Sequence, residues 1–162
     1  MEHVWAPWRM KYIQETSEKG CFFCKGIALQ DGADNLIVKR GKYAFVMLNR
    51  YPYTSGHLMV VPYAHEASLE KLPVETKTEI MELIAQAIQV LSKEYGAEGF
   101  NVGANLGLTA GAGVADHLHF HVVPRWGGDT NFMTTVGDAR VLPEHLIDTQ
   151  KRIQDHWVKG TD

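Results

Sequence analysis

Apolar residues recur at three- and four-residue steps through the middle of the chain, where Ile80, Leu83, Ile84, Ala87, Ile88 and Leu91 form one stripe. That spacing predicts a helix over 73–95. Pro73 suits its first turn, and Gly96 suits its C-terminal cap. The remaining pattern is mostly of shorter period. Segments 36–40 and 43–48 read as a strand pair broken at Gly41, and 49–56 as a loop marked by Pro52 and Gly56. The β-branched run 57–61, closed by Pro62, reads as a strand. Segment 100–104 is a further strand candidate, and 116–123 is a strand by strict alternation. Segment 143–157 reads as a C-terminal helix. Clustered strands around one long helix predict an α+β fold on an antiparallel sheet.

Composition narrows the class. The 162 residues are 45% hydrophobic and 22% charged, with a formal net charge of −3. That suits one folded domain with a sizeable core. Apolar runs fall far short of the roughly 20 residues that span a bilayer, so no membrane partner is expected. A slightly acidic chain has no global basic field, so no nucleic-acid partner is expected either. The N-terminus shows no basic segment followed by an apolar one, and the only cysteines are Cys21 and Cys24. Both features point to a cytoplasmic protein with reduced thiols. Residues 1–20, with Trp5, Trp8 and Tyr12, read as an aromatic, basic arm that packs on the body or on a partner subunit.

The alternating segment carries the candidate chemistry. Side chains alternate across a strand, so His117, His119 and His121 share one face, while Leu118, Phe120 and Val122 share the core face. Two chemistries suit such a row. Imidazoles on alternate positions can ligate zinc in a three-histidine catalytic site. Alternatively, one neutral imidazole attacks phosphorus while its neighbours stabilise charge or pass a proton. The preceding segment 103–113 holds four of the 15 glycines, and backbone N–H groups in such a stretch can cradle phosphate oxygens. Arg50, Arg125 and Lys42 are candidates for a positive patch near phosphate. The Cys21–Cys24 spacing is that of half a zinc site, or of a redox pair in a different structural setting.

The run His117-Leu118-His119-Phe120-His121-Val122-Val123 resembles the His-x-His-x-His-x-x signature of the histidine triad superfamily. Leu48-Asn49-Arg50, Pro52, Gly56-His57-Leu58, Val61-Pro62 and Pro124-Arg125 resemble the family in the same order, so the likeness runs over about residues 20–130. It implies a five-stranded antiparallel sheet with two main helices, in a single domain over 21–162 that pairs into a ten-stranded sheet in a homodimer. It implies His119 as nucleophile, His121 at the α-phosphate or bridging oxygen, and His57 as a supporting phosphate ligand. Asn49 would lie near the ribose. Asn105, with Gly111, Ala112 and Gly113 of the glycine loop, would lie near the phosphates. The flanking Trp5-Ala6-Pro7-Trp8-Arg9 and Arg125-Trp126-Gly127-Gly128-Asp129 resemble the branch of dinucleoside polyphosphate hydrolases and diadenosine tetraphosphate phosphorylases.

The function so implied is nucleotidyl transfer or hydrolysis on dinucleoside polyphosphates through a covalent nucleotidyl-histidine. Phosphorolysis, or nucleotide binding with slow turnover in a signalling protein, are the alternatives. The phosphorylases tend to carry Gly-Ser where this chain has Ala112-Gly113, which favours hydrolysis. The resemblance also implies a structural zinc on Cys21, Cys24, His65 and His117, which would remove His117 from catalysis, and no organic cofactor.

Overall fold

The computed structural model describes residues 20–130 and 142–159. The aromatic arm lies outside the described residues, apart from Gly20. Five strands form one antiparallel sheet: β1 (Ile37–Arg40), β2 (Ala44–Leu48), β3 (Leu58–Pro62), β4 (Gly99–Gly103) and β5 (Phe120–Arg125), in the order β1-β2-β3-β5-β4. Three α-helices complete the described fold: α1 (Phe22–Ile27), α2 (Val74–Tyr95) and α3 (Leu146–Lys159). The α+β fold expected from the pattern, and the five-stranded antiparallel sheet with two main helices implied by the resemblance, are therefore present. The short helix α1 has no counterpart in the sequence reading, because six residues are too few to display a helical period.

The pleat sorts the core into two faces. Val46, Leu48, Leu58, Val60 and Val122 point to one side and pack with Ile80, Leu83, Ala87 and Leu91 of α2 and with Ile153 and Trp157 of α3. Ile37, Phe45, Met47, Met59 and Val61 point to the other side, where Phe23 of α1 and Val114 cover them. The registers align Ile37, Met47, Met59, His121 and Gly103 in one row across all five strands of this second face.

Helix α2 ends at Gly96, whose φ of 57° is the left-handed cap that its residue type predicts. Gly56 turns the chain into β3 at a φ of 75°, and a Cβ there would meet Leu91 Cδ2 at 2.9 Å. Glu79 of α2 holds the β1–β2 turn by accepting from the backbone N–H groups of Lys42, Tyr43 and Ala44 at 2.8, 2.5 and 2.8 Å. Helix α3 closes the β1 side: Gln150 and Gln154 both donate to the Ile37 carbonyl, at 3.0 and 2.9 Å. It starts at Leu146 rather than 143. Glu144 stays outside the helix and accepts from Tyr95 and Thr149 at 2.8 Å each.

The histidine strand also begins later than its alternation predicts, at Phe120 rather than 116. The Leu118 N–H bonds the Glu66 carbonyl at 2.8 Å, outside the sheet ladder. The alternation survives nonetheless, since Leu118 and Val122 are buried in the helical face. At the far end β5 runs on through Pro124. That proline carries no N–H, and its carbonyl accepts from Thr54 Oγ1 at 3.0 Å beyond the last residue of β5 paired to β3.

Candidate active site and metal centre

The hydrogen bonds of the histidines fix their tautomers, because a backbone carbonyl only accepts and a backbone N–H only donates. His119 Nδ1 lies 2.9 Å from the His117 carbonyl, so Nδ1 carries the proton and Nε2 keeps its lone pair. The Tyr53 N–H lies 3.1 Å from His57 Nδ1, so His57 is protonated at Nε2. That Nε2–H then donates to His121 Nδ1 at 3.0 Å, which leaves the proton of neutral His121 on its own Nε2. A row of polar contacts thus runs from a backbone amide through two imidazoles to a donor N–H beside His119, whose ring centroid is 5.1 Å from that of His121.

Burial keeps this group neutral. It pushes His57 down to about 3, with the positive charges that His121 and His119 would carry adding to the effect. It pushes His121 down to about 4, again with help from His119. His119 is also lowered by burial, against a smaller raising effect from the His117 carbonyl. A neutral imidazole with a free lone pair is the nucleophilic form.

His57 sits at the entrance to β3 and is fully buried. Both of its nitrogens are engaged, so its contacts differ from those of the phosphate ligand that the resemblance implies. The Tyr53 ring, which the sequence reading did not single out, lies over His57 at 4.6 Å and over His121 at 6.0 Å between centroids. A tyrosine in a polar loop gives no periodic signal, and only the return of that loop over β3 brings it here.

Of the other expected residues, Asn49 is joined to this group through the backbone, and the glycine segment leaves the sheet opposite it. The Asn49 N–H bonds the His57 carbonyl at 2.9 Å, and its Oδ1 accepts from Tyr51 N–H at 2.9 Å within the loop. Residues 104–113 leave β4 at Gly103, directly opposite His121 in the sheet register. In that segment Asn105 Nδ2 reaches the Gly111 carbonyl at 3.5 Å, Ala112 is buried and Gly113 is exposed. The three cationic candidates have separate partners. Arg125 is held by Asp129 and Asn101, Arg50 donates to the Asp34 carbonyl, and Lys42 lies over the Tyr43 ring in the β1–β2 turn.

Next to His119, four further side chains converge. One donor atom each from Cys21, Cys24, His65 and His117 lies within 4.8 Å of the others. Cys21 Sγ is 3.3 Å from His117 Nδ1, and Cys24 Sγ is 3.4 Å from His65 Nδ1 and 3.7 Å from His117 Nδ1. Tetrahedral zinc with ordinary bond lengths sets sulfur and nitrogen ligands about 3.6 Å apart, so two sulfurs and two imidazoles here fit such an ion. His117 Nε2–H donates to the Pro62 carbonyl at 2.9 Å, which leaves Nδ1 as the ligand nitrogen. His65 Nε2 lies 3.5 Å from Asp116 Oδ2, again with Nδ1 toward sulfur. The three-histidine metal site is not assembled, because His117 faces the cysteines while His119 Nδ1 faces a carbonyl.

The family model described as the HIT domain matches residues 31–128. The chain belongs to the HIT-domain family. It is 41% identical over 168 residues to an AP-4-A phosphorylase of Mycobacterium tuberculosis, covering 98% of this chain and 86% of that protein. It is 31% identical to an adenosine 5'-monophosphoramidase of Candida albicans, covering 67% of this chain and 72% of that one. A crystal structure of a Zn-bound histidine triad family protein from Mycobacterium smegmatis shares the fold. Its TM-score is 0.70 at 24% identity, with 86% of this chain and 94% of that chain covered.

Proposed function

We propose that this HIT-family chain transfers a nucleotidyl group from a dinucleoside polyphosphate through a covalent intermediate on His119. The single observation that carries the reading is the tautomer of His119: Nδ1–H is fixed on the His117 carbonyl, and Nε2 retains its lone pair beside the donor His121. In the first step His119 Nε2 bonds the α-phosphorus, and the bond to the bridging oxygen breaks. The electron pair leaves with the polyphosphate anion. The positive charge that develops on His119 is met by the His117 carbonyl at Nδ1–H. His121 donates its Nε2–H to the bridging or α-phosphoryl oxygen, and His57 acts by holding His121 in that tautomer. Asn105 and the amides of Gly111, Ala112 and Gly113 flank the phosphates, and Asn49 flanks the ribose. In the second step an acceptor oxygen attacks phosphorus and returns the electron pair to His119 Nε2.

Water is the acceptor favoured by Ala112-Gly113, which supplies no hydroxyl to hold inorganic phosphate. Inorganic phosphate is the second reading, supported by the 41% identity to an AP-4-A phosphorylase along nearly the whole chain. Incubation with diadenosine tetraphosphate decides between them. AMP and ATP formed without phosphate mark hydrolysis, and ADP and ATP formed only with phosphate mark phosphorolysis. Tight binding with negligible turnover would refute both and support the signalling reading.

Cys21, Cys24, His65 and His117 form the set we assign to a structural zinc, supported by the four converging donors. Such an ion would tie α1 to the chain entering β5. A homodimer with a ten-stranded sheet is supported by the β4 edge. Among the described residues no strand pairs along its outer side, and its Val102 is 44% exposed. A cytoplasmic location is supported by the reduced thiols that this donor set requires. No described helix is long and apolar enough to cross a membrane.

A further inference from the structure

The two cysteines of the metal set enclose Phe22 and Phe23, and Phe23 points inward. It is 2% exposed, in the core on the second face of the sheet with Phe45, Met59 and Val61. Its ring centroid lies 5.2 Å from that of His117 at an interplanar angle of 67°, and 5.0 Å from that of His119 at 47°. His119 is thus held on two sides. The His117 carbonyl fixes its Nδ1–H, and the Phe23 ring lies beside it at a tilt of 47°. Both holds originate in the metal set, one from the ligand His117 and one from the residue next to the ligand Cys24.

We propose that Phe23 is a positioning residue that couples the occupied metal set to the orientation of the His119 imidazole. It rests on the reading of His119 as nucleophile, but its physical content concerns only ring orientation. An imidazole held by one hydrogen bond still swings about that bond. A packed aromatic ring removes this freedom, and a loss of about 1 Å in alignment costs a reaction on the order of a hundredfold. The α1 turn sets where the Phe23 ring sits, and the metal would set the α1 turn by drawing Cys21 and Cys24 onto His65 and His117.

The test uses the full chain with its histidine rings labelled with ¹⁵N. Zinc is removed from the wild-type protein with a chelator and then titrated back as the metal alone. The ring signals of His119 are expected to lose their single Nδ1–H signature on removal and to regain it with one equivalent of zinc, while those of His57 and His121 stay in place. Unchanged His119 signals in demonstrably metal-free, folded protein would overturn the proposal, and that outcome does not bear on the nucleotide chemistry.

Phe23→Leu and Phe23→Tyr then address the ring itself. The leucine variant is expected to bind one equivalent of zinc and to lose about tenfold in kcat, with KM changed less than threefold. The tyrosine variant is expected to recover most of that kcat. A raised KM with unchanged kcat would make Phe23 a substrate contact and overturn the proposal. So would a kcat loss that merely tracks lost zinc. If Phe23→Leu fails to fold, Phe23→Met replaces it and is read by the same zinc stoichiometry and the same kcat-against-KM comparison.

Discussion

His117 and His119 stand two residues apart and present opposite nitrogens. His117 commits Nε2–H to the Pro62 carbonyl and turns Nδ1 to the cysteine sulfurs. His119 commits Nδ1–H to the His117 carbonyl and leaves Nε2 with its lone pair. The residue type is the same, and both lie in the segment entering β5. What separates the proposed ligand from the proposed nucleophile is which carbonyl lies within reach of which nitrogen. The two groups also differ in surroundings: His65 in the metal set is exposed, whereas His57 in the reactive set is fully buried with both nitrogens satisfied. The first group is arranged to meet an ion and the second to stay neutral.

The largest effect is expected from removing the proposed nucleophile. His119→Ala should lower turnover on diadenosine tetraphosphate by a factor of about 10³ or more while leaving bound zinc and melting temperature nearly unchanged. Steady-state kinetics beside metal analysis check both halves. Turnover close to wild type would collapse the distinction between the two groups.

Breaking the other group should reverse the pattern. Cys24→Ser is expected to lose zinc and to destabilise the fold by about 2–4 kcal/mol, seen as a lower denaturation midpoint, with kinetics impaired second. A variant that keeps its stability without zinc would show that the donor set does not hold the fold together.

Removing the support beneath His121 should fall between these. His57→Asn deletes the Nε2–H bond to His121, and kcat is expected to drop on the order of tenfold with KM little changed. A rise in KM alone would restore His57 to direct phosphate contact.

The pH dependence sharpens the contrast further. His57 and His121 are lowered by burial to about 3 and about 4, so the folded protein leaves them neutral where the unfolded chain, titrating near 6.5, protonates them. Stability from this pair is complete above about pH 6.5 and declines as pH falls toward 4. Denaturant titrations at pH 7 and pH 5 should show a lower midpoint at pH 5. The smallest effect is expected far from both groups. Glu79→Gln weakens the hydrogen bonds to three amides of the β1–β2 turn and should cost about 1–2 kcal/mol with kcat unchanged.

Much of this arrangement was legible in the residues. The stripe from Ile80 to Leu91 foretold α2, and Gly96 foretold its cap. The alternation at 117–122 placed three histidines opposite Leu118 and Val122. The grouping of Cys21, Cys24, His65 and His117, whose donor atoms converge, came from the family resemblance and not from spacing, since His65 and His117 are far apart in sequence. The tautomers were not legible. They depend on the Pro62 and His117 carbonyls and the Tyr53 amide, which any sequence supplies and only the fold aims. Helix α1 was too short to show a period. The start of β5 was misplaced because Leu118 finds its hydrogen-bond partner at Glu66 rather than in the sheet.

The central claim is that His119 Nε2 carries the nucleotidyl group. The most direct measurement is a rapid alkaline quench during turnover of diadenosine tetraphosphate, followed by peptide mass spectrometry. The account predicts one nucleotidyl group on the peptide bearing His119, acid-labile as a phosphoramidate and localised to that residue. A nucleotidyl group localised to His121, or steady turnover with no covalent species on any histidine, would contradict it.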